Sequence, residues 1–197
     1  AVGRSALVLN TSGTGNTAVG TTALDANDSG SYNVAIGLDA LGANLANDNV
    51  AVGVNALIVN TTGTNNVAVG RAALAANTTA NSNTGIGHDA LAANTTGAEN
   101  VAVGDSALAA NTTAGLNTAV GVEALEATTT GQYNTGIGGA AIKANTTGAY
   151  NTAVGVNSLL ANTTANDNTA VGYDCLKATT TGAGNTAVGI YALDANT

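Results

Sequence analysis

NTTGAYNTAVGVNSLL (145–160) holds one phrase of a tandem repeat, and the period of that phrase decides the fold. The glycine closing each [AG]-[VI]-G triplet falls at Gly3, Gly20, Gly37, Gly53, Gly70, Gly87, Gly104, Gly121, Gly138, Gly155, Gly172 and Gly189. Ten of the eleven intervals are 17 residues, and the one from Gly37 to Gly53 is 16. The unit reads N-[TV]-[AG]-[VI]-G-x-x-A-L-x-A-N-T-T-[GA]-x-x. Twelve copies, counting partial ones, fill 1–197 as a single repeat domain. The short copy loses its residue between Leu41 and Asn49, outside the AVG triplet.

A 17-residue period gives no continuous stripe at 3.6 residues per turn, and it is too short for a helix-turn-helix repeat. It suits one coil of stacked short strands and turns, with coils about 4.8 Å apart. The predicted fold class is all-β: a β-solenoid, or β-roll, of about twelve 17-residue coils, a rod on the order of 58 Å long.

Each position of the unit then becomes a column along the rod. The first column is asparagine throughout: Asn16, Asn33, Asn49, Asn66, Asn83, Asn100, Asn117, Asn134, Asn151, Asn168 and Asn185. A side-chain amide both donates and accepts, so amides stacked at strand spacing satisfy one another as an inward ladder. Asparagine also tolerates the left-handed backbone of a coil corner. A second column runs Asn10, Asn27, Asn44, Asn60, Asn77, Asn94, Asn111, Asn145, Asn162 and Asn196, broken by Thr128 and Thr179. The glycine column marks a corner with positive φ or a close backbone approach.

The core is expected from Leu7, Leu24 and their equivalents to Leu193, with Ile142 once, joined by Val19, Ile36, Val52 and theirs. Neighbouring strand residues face opposite ways. That places the Ala18 column, which is alanine except for Gly85 and Gly136, on the other side from Val19. A face held to such small residues is expected to press against a second copy of the chain, giving a homo-oligomer.

Composition narrows the function. The chain has no Pro, Met, Trp or Phe, nearly half of its 45% apolar content is alanine, and only 8% is charged. Its net charge of −8 and pI near 4.1 repel phosphate backbones and anionic lipid, so neither nucleic acid nor a membrane surface is an expected partner. No 18-residue apolar run spans a bilayer. The chain starts and stops inside a repeat, as expected of a segment of a longer fibre.

Few residues suggest chemistry. Cys175 occupies the Ala23 column and reads as a small packed thiol. His88, the single histidine, reads as an exposed bystander unable to build a histidine metal cluster. Asp39, Asp89, Glu123 and Asp174 share a column without occupying adjacent rungs, which reads as surface maintenance. Glu126 with Lys143, and Lys177 with Asp194, are expected as weak exposed ion pairs. Tyr133 and Tyr150, one rung apart, are candidates for a sugar-ring platform, against the simpler reading of rung-to-rung stacking. The N-T-T sequons at Asn60, Asn77 and Asn145 are discounted because their asparagines read as structural. With no catalytic triad, phosphate loop, paired carboxylates or cofactor motif, no enzyme activity, metal or cofactor is expected.

The phrase N-T-A-V-G-x-x-A-L-x-A-N-T-T-G resembles, along the whole chain, the repeats of tail-fibre-domain proteins of phages and bacteria. It is also similar in pattern to the N-S-V-A-I-G head repeats of trimeric autotransporter adhesins, whose unit is shorter. The resemblance implies a left-handed roll packed as a homotrimer, outside the cell on a virion or bacterial surface. It implies a rigid shaft for host or surface attachment, with a glycan or protein receptor met at a tip beyond this segment. Two alternatives stand beside it. An ice-binding solenoid would use the threonine columns, though adjacent threonines such as Thr146-Thr147 are expected to point opposite ways. A carbohydrate-processing solenoid of the tailspike kind would need clustered carboxylates, whereas a glycan-binding one would use the Tyr133 and Tyr150 platform.

Overall fold

The computed structural model describes residues 1–195 and is a β-solenoid. Eleven three-residue strands, one per coil, form a single parallel sheet in sequence order: β1 (Thr17–Val19), β2 (Val34–Ile36), β3 (Val50–Val52), β4 (Val67–Val69), β5 (Thr84–Ile86), β6 (Val101–Val103), β7 (Thr118–Val120), β8 (Thr135–Ile137), β9 (Thr152–Val154), β10 (Thr169–Val171) and β11 (Thr186–Val188). A bridge from Val2 to Val19 carries the ladder one rung further. Register is in step throughout, Ala18 facing Ala35 and Ala170 facing Ala187. The 16-residue coil keeps it too, Ala35 facing Ala51. Its deletion sits between Asn44 and Ala46: Asn44 Nδ2 reaches the carbonyl two residues on, where other coils span three.

One coil explains the core. From Asn100 to Leu116 the inward side chains are Asn100, Ala102, Ala107, Leu108, Asn111 and Ala114, each with no exposed surface. The interior is therefore narrow, one leucine, three alanines and two amides per level. This reverses the expected strand orientation. The Ala18 column lies inside the roll, and the valines and isoleucines point out, Val19 being 39% and Ile36 40% exposed. The alanine restriction is a matter of room. A Cβ added at Gly136 would lie 3.3 Å from Leu125 Cγ and 3.2 Å from Ala141 O, so nothing larger than a methyl fits between strand and leucine. The alanine face presses on its own chain's leucines, not on a second copy.

The glycine column has positive φ as expected, +130 to +144° from Gly3 to Gly189, whereas the asparagines depart from expectation. Among the described residues, no asparagine of the two ladder columns has positive φ. Left-handed backbone falls instead on the buried leucine column, φ +51 to +55° from Leu24 to Leu176, and on two variable positions per coil such as Asp39 and Tyr133. Left-handed geometry costs an L-residue about 1–2 kcal/mol. It is held here because each leucine from Leu24 to Leu176 buries its side chain completely while its N–H reaches a carbonyl one coil on, that of an alanine for Leu125 (Ala141 O, 2.9 Å) and of Cys175 for Leu159 (2.9 Å).

Candidate functional site

The two asparagine columns form one continuous polar spine inside the roll. In the first, each Oδ1 accepts the backbone N–H of the asparagine one coil later, at 2.8–3.1 Å from Asn16–Asn33 through Asn168–Asn185. Each Nδ2 from Asn16 to Asn168 donates to a carbonyl 13 or 14 residues ahead, at 2.7–2.9 Å. Side chain also meets side chain in this column, Asn151 Nδ2 lying 3.1 Å from Asn134 Oδ1.

In the second column Nδ2 donates back to the preceding Oδ1, as Asn111 does to Asn94 at 2.8 Å, and forward to the same carbonyl the first column uses. Thus Ala114 O receives Asn100 Nδ2 at 2.9 Å and Asn111 Nδ2 at 3.0 Å. A carbonyl oxygen has two lone pairs, so one acceptor ties both columns together. Asn196 lies outside the described residues.

The second ladder breaks at three places, and each leaves an orphan. Among the described residues the buried side-chain atoms without a partner are Asn27 Oδ1, Asn111 Oδ1 and Asn162 Oδ1. Asn27 precedes the shortened coil, while Asn111 and Asn162 each face the rung where threonine, Thr128 or Thr179, replaces asparagine. A buried unsatisfied acceptor costs about 1–3 kcal/mol. Thr128→Asn should supply the missing donor to Asn111 Oδ1 and rejoin the ladder. It is expected to stabilise the fold by about 1–2 kcal/mol, seen as a higher urea midpoint at unchanged m.

Outside, the strands present an uncharged surface. The two outward residues of every strand are threonine, valine or isoleucine, from Thr17 and Val19 to Thr186 and Val188. On a chain of net charge −8 this is an uncharged, β-branched stripe eleven rungs long, with an unbroken valine and isoleucine column from Val19 to Val188. The sequence reading missed it by placing valine inside. The signal was present: Gly85 and Gly136 fall in the alanine column, marking an upper size limit that suits a crowded interior.

The remaining candidates are scattered. Tyr133 and Tyr150 stack from rung to rung with centroids 4.9 Å apart and planes 3° from parallel, which covers one face of each ring. Tyr173 and Tyr191 meet edge to face at 5.6 Å. His88 is no bystander. Arg71 Nε donates to its Nε2 at 3.2 Å, and its Nδ1 lies 3.1 Å from Asp105 Oδ1, a chain across three rungs. Cys175 is buried in the alanine column, its Sγ 3.3 Å from Ala187 O, and burial pushes the thiol pKa up.

Lys143 bridges Glu123 at 2.8 Å and Glu126 at 3.2 Å, and these carboxylates hold its ammonium pKa above the usual value. Lys177 pairs at 2.9 Å with Asp174 of its own coil, not with Asp194 as expected, because three residues on at the corner is the shorter reach. Lys177, and then Asn157 Nδ2 at 2.9 Å, hold the Asp174 carboxyl below its ordinary pKa. The sequon residues Asn60, Asn77 and Asn145 are fully buried, with Nδ2 engaged in the spine. Among the described residues no three of His, Cys, Asp and Glu are grouped to hold a metal, and no helix is long and apolar enough to cross a membrane.

No protein-family model, curated protein or solved structure matches this chain.

Proposed function

We propose that the chain is a non-catalytic shaft segment of an extracellular fibre, of a phage tail or a bacterial surface, that self-associates side by side as a homotrimer. The observation carrying this reading is the uncharged β-branched stripe along the outer face of the sheet. Contiguous exposed apolar surface of this extent marks an interaction site on a soluble protein. Its regular rungs suit a partner with the same rungs, which a second copy has. Identical coils locked by an inward spine favour stiffness and reach, and attachment falls to a tip outside the segment, where a glycan or protein receptor is met.

Sedimentation equilibrium tests it. The chain should sediment as three copies at micromolar concentration, and Val103→Lys with Val120→Lys should release monomer while the circular dichroism spectrum persists. A folded wild-type monomer at that concentration would refute the reading.

A further inference from the structure

A second outer face is distinct from the sheet. From Thr61-Thr62 to Thr180-Thr181 every coil places two threonines side by side, eight rungs without interruption. These residues lie in bends, not strands, so the strict alternation expected for Thr146-Thr147 does not apply. The flanking asparagine and the following Gly or Ala point inward, while Thr146 is half-buried and Thr147 exposed.

The first hydroxyl is locked in seven of the eight pairs, from Thr61 to Thr163. Its Oγ1 donates to the carbonyl of the equivalent threonine one coil on, at 2.9–3.4 Å from Thr61–Thr78 to Thr163–Thr180. The backbone N–H of the same residue reaches the same oxygen, 2.9 Å from Thr129 to Thr146. The second hydroxyl, as in Thr96, Thr113 and Thr130, is exposed and makes no side-chain bond among the described residues. No charged residue interrupts the two columns over these rungs, nor the next outward column from Thr64 to Ala183.

We propose that this threonine face binds ice. Eight identical rungs carry no feature by which to single out one small molecule. Their contacts add only on a ligand that repeats in step with them. A rung spacing of about 4.8 Å is close to the oxygen repeat along the a axis of hexagonal ice. Each threonine offers a hydroxyl to bond a water and a methyl to sit beside it. Seven of the sixteen hydroxyls are fixed before binding, which lowers the ordering cost. No aromatic ring stands in either column to stack on a pyranose, which separates this face from one built for a crystalline polysaccharide. The proposal does not depend on the shaft reading.

The test is thermal hysteresis by nanolitre osmometry on the whole 197-residue chain, with two charge-matched triple variants. Thr96→Lys/Thr113→Lys/Thr130→Lys alters the outer threonine column. Val122→Lys/Gly139→Lys/Val156→Lys alters a different outward column, and circular dichroism checks the fold of both. Wild type and the second variant should arrest growth and shape crystals, and the first should lose activity by roughly tenfold or more. Thr96→Val/Thr113→Val/Thr130→Val, which removes hydroxyls with almost no change of shape, should fall between them. Absence of hysteresis in wild type, equal loss in both lysine variants, or retention on crystalline cellulose or chitin without any effect on ice would each overturn the proposal. Self-association, read separately by sedimentation, leaves these outcomes unchanged.

Discussion

Asn134→Leu is expected to destabilise the fold by about 3–5 kcal/mol, more than any surface change. Asn134 has no exposed surface. Its Oδ1 accepts Asn151 N at 3.0 Å and Asn151 Nδ2 at 3.1 Å, and its Nδ2 donates to Gly148 O at 2.8 Å. Leucine has the same branched outline, though it is larger, and offers no acceptor. The backbone N–H of Asn151 and one of its side-chain protons would be stranded in an interior closed to water. Gly148 O keeps the Asn145 donor at 3.0 Å, so the loss concentrates on the coil above. Urea unfolding followed by circular dichroism measures the effect. A change below about 1 kcal/mol would mean that the spine is not what holds the coils.

Gly121→Ala should be at least as damaging. Gly121 has φ +139°, and an added Cβ would lie 2.5 Å from Gly138 O and 2.6 Å from Gly138 C in the next coil. Both partners are backbone, so relief requires that one coil lift off the next. The expected cost is about 4 kcal/mol or more, accompanied by new proteolytic cleavage near residue 121. Gly139→Ala is the matched control. A Cβ there meets nothing within 4 Å, and its expected effect is within about 0.5 kcal/mol. Equal effects at the two positions would remove the close approach as the reason for the glycine column.

Periodicity made the architecture legible before any coordinates. One 17-residue spacing, held through Gly121, Gly138 and Gly155, leaves little but a coil stacked on itself, and an asparagine that recurs at the same point must meet its own copy. The side of the strand that faces in was not legible from the same pattern. Alanine and valine are both apolar, and a three-residue strand is too short for alternation to mark a polar face. The answer depended on how far Leu125 reaches across the roll toward Gly136, a distance set by the left-handed turn at the leucine itself, which no propensity scale assigns to that residue. The threonine pairs were misread for a related reason. Strand alternation does not hold in a bend, where Thr146 is half-buried and Thr147 exposed. Thr128 was visible as an interruption, but only the geometry turns it into an unmet acceptor at Asn111.

Side-chain amide hydrogen exchange, followed by NMR on the assigned chain, tests the inward spine most directly. The Nδ2 protons of Asn117, Asn134 and Asn151 should exchange as slowly as the backbone amide of Val120. Those of Asn47, Asn81 and Asn166, exposed and accepting only through Oδ1, should exchange at the rate of a free amide. If the two groups exchange alike, the coils are not stacked through their asparagines.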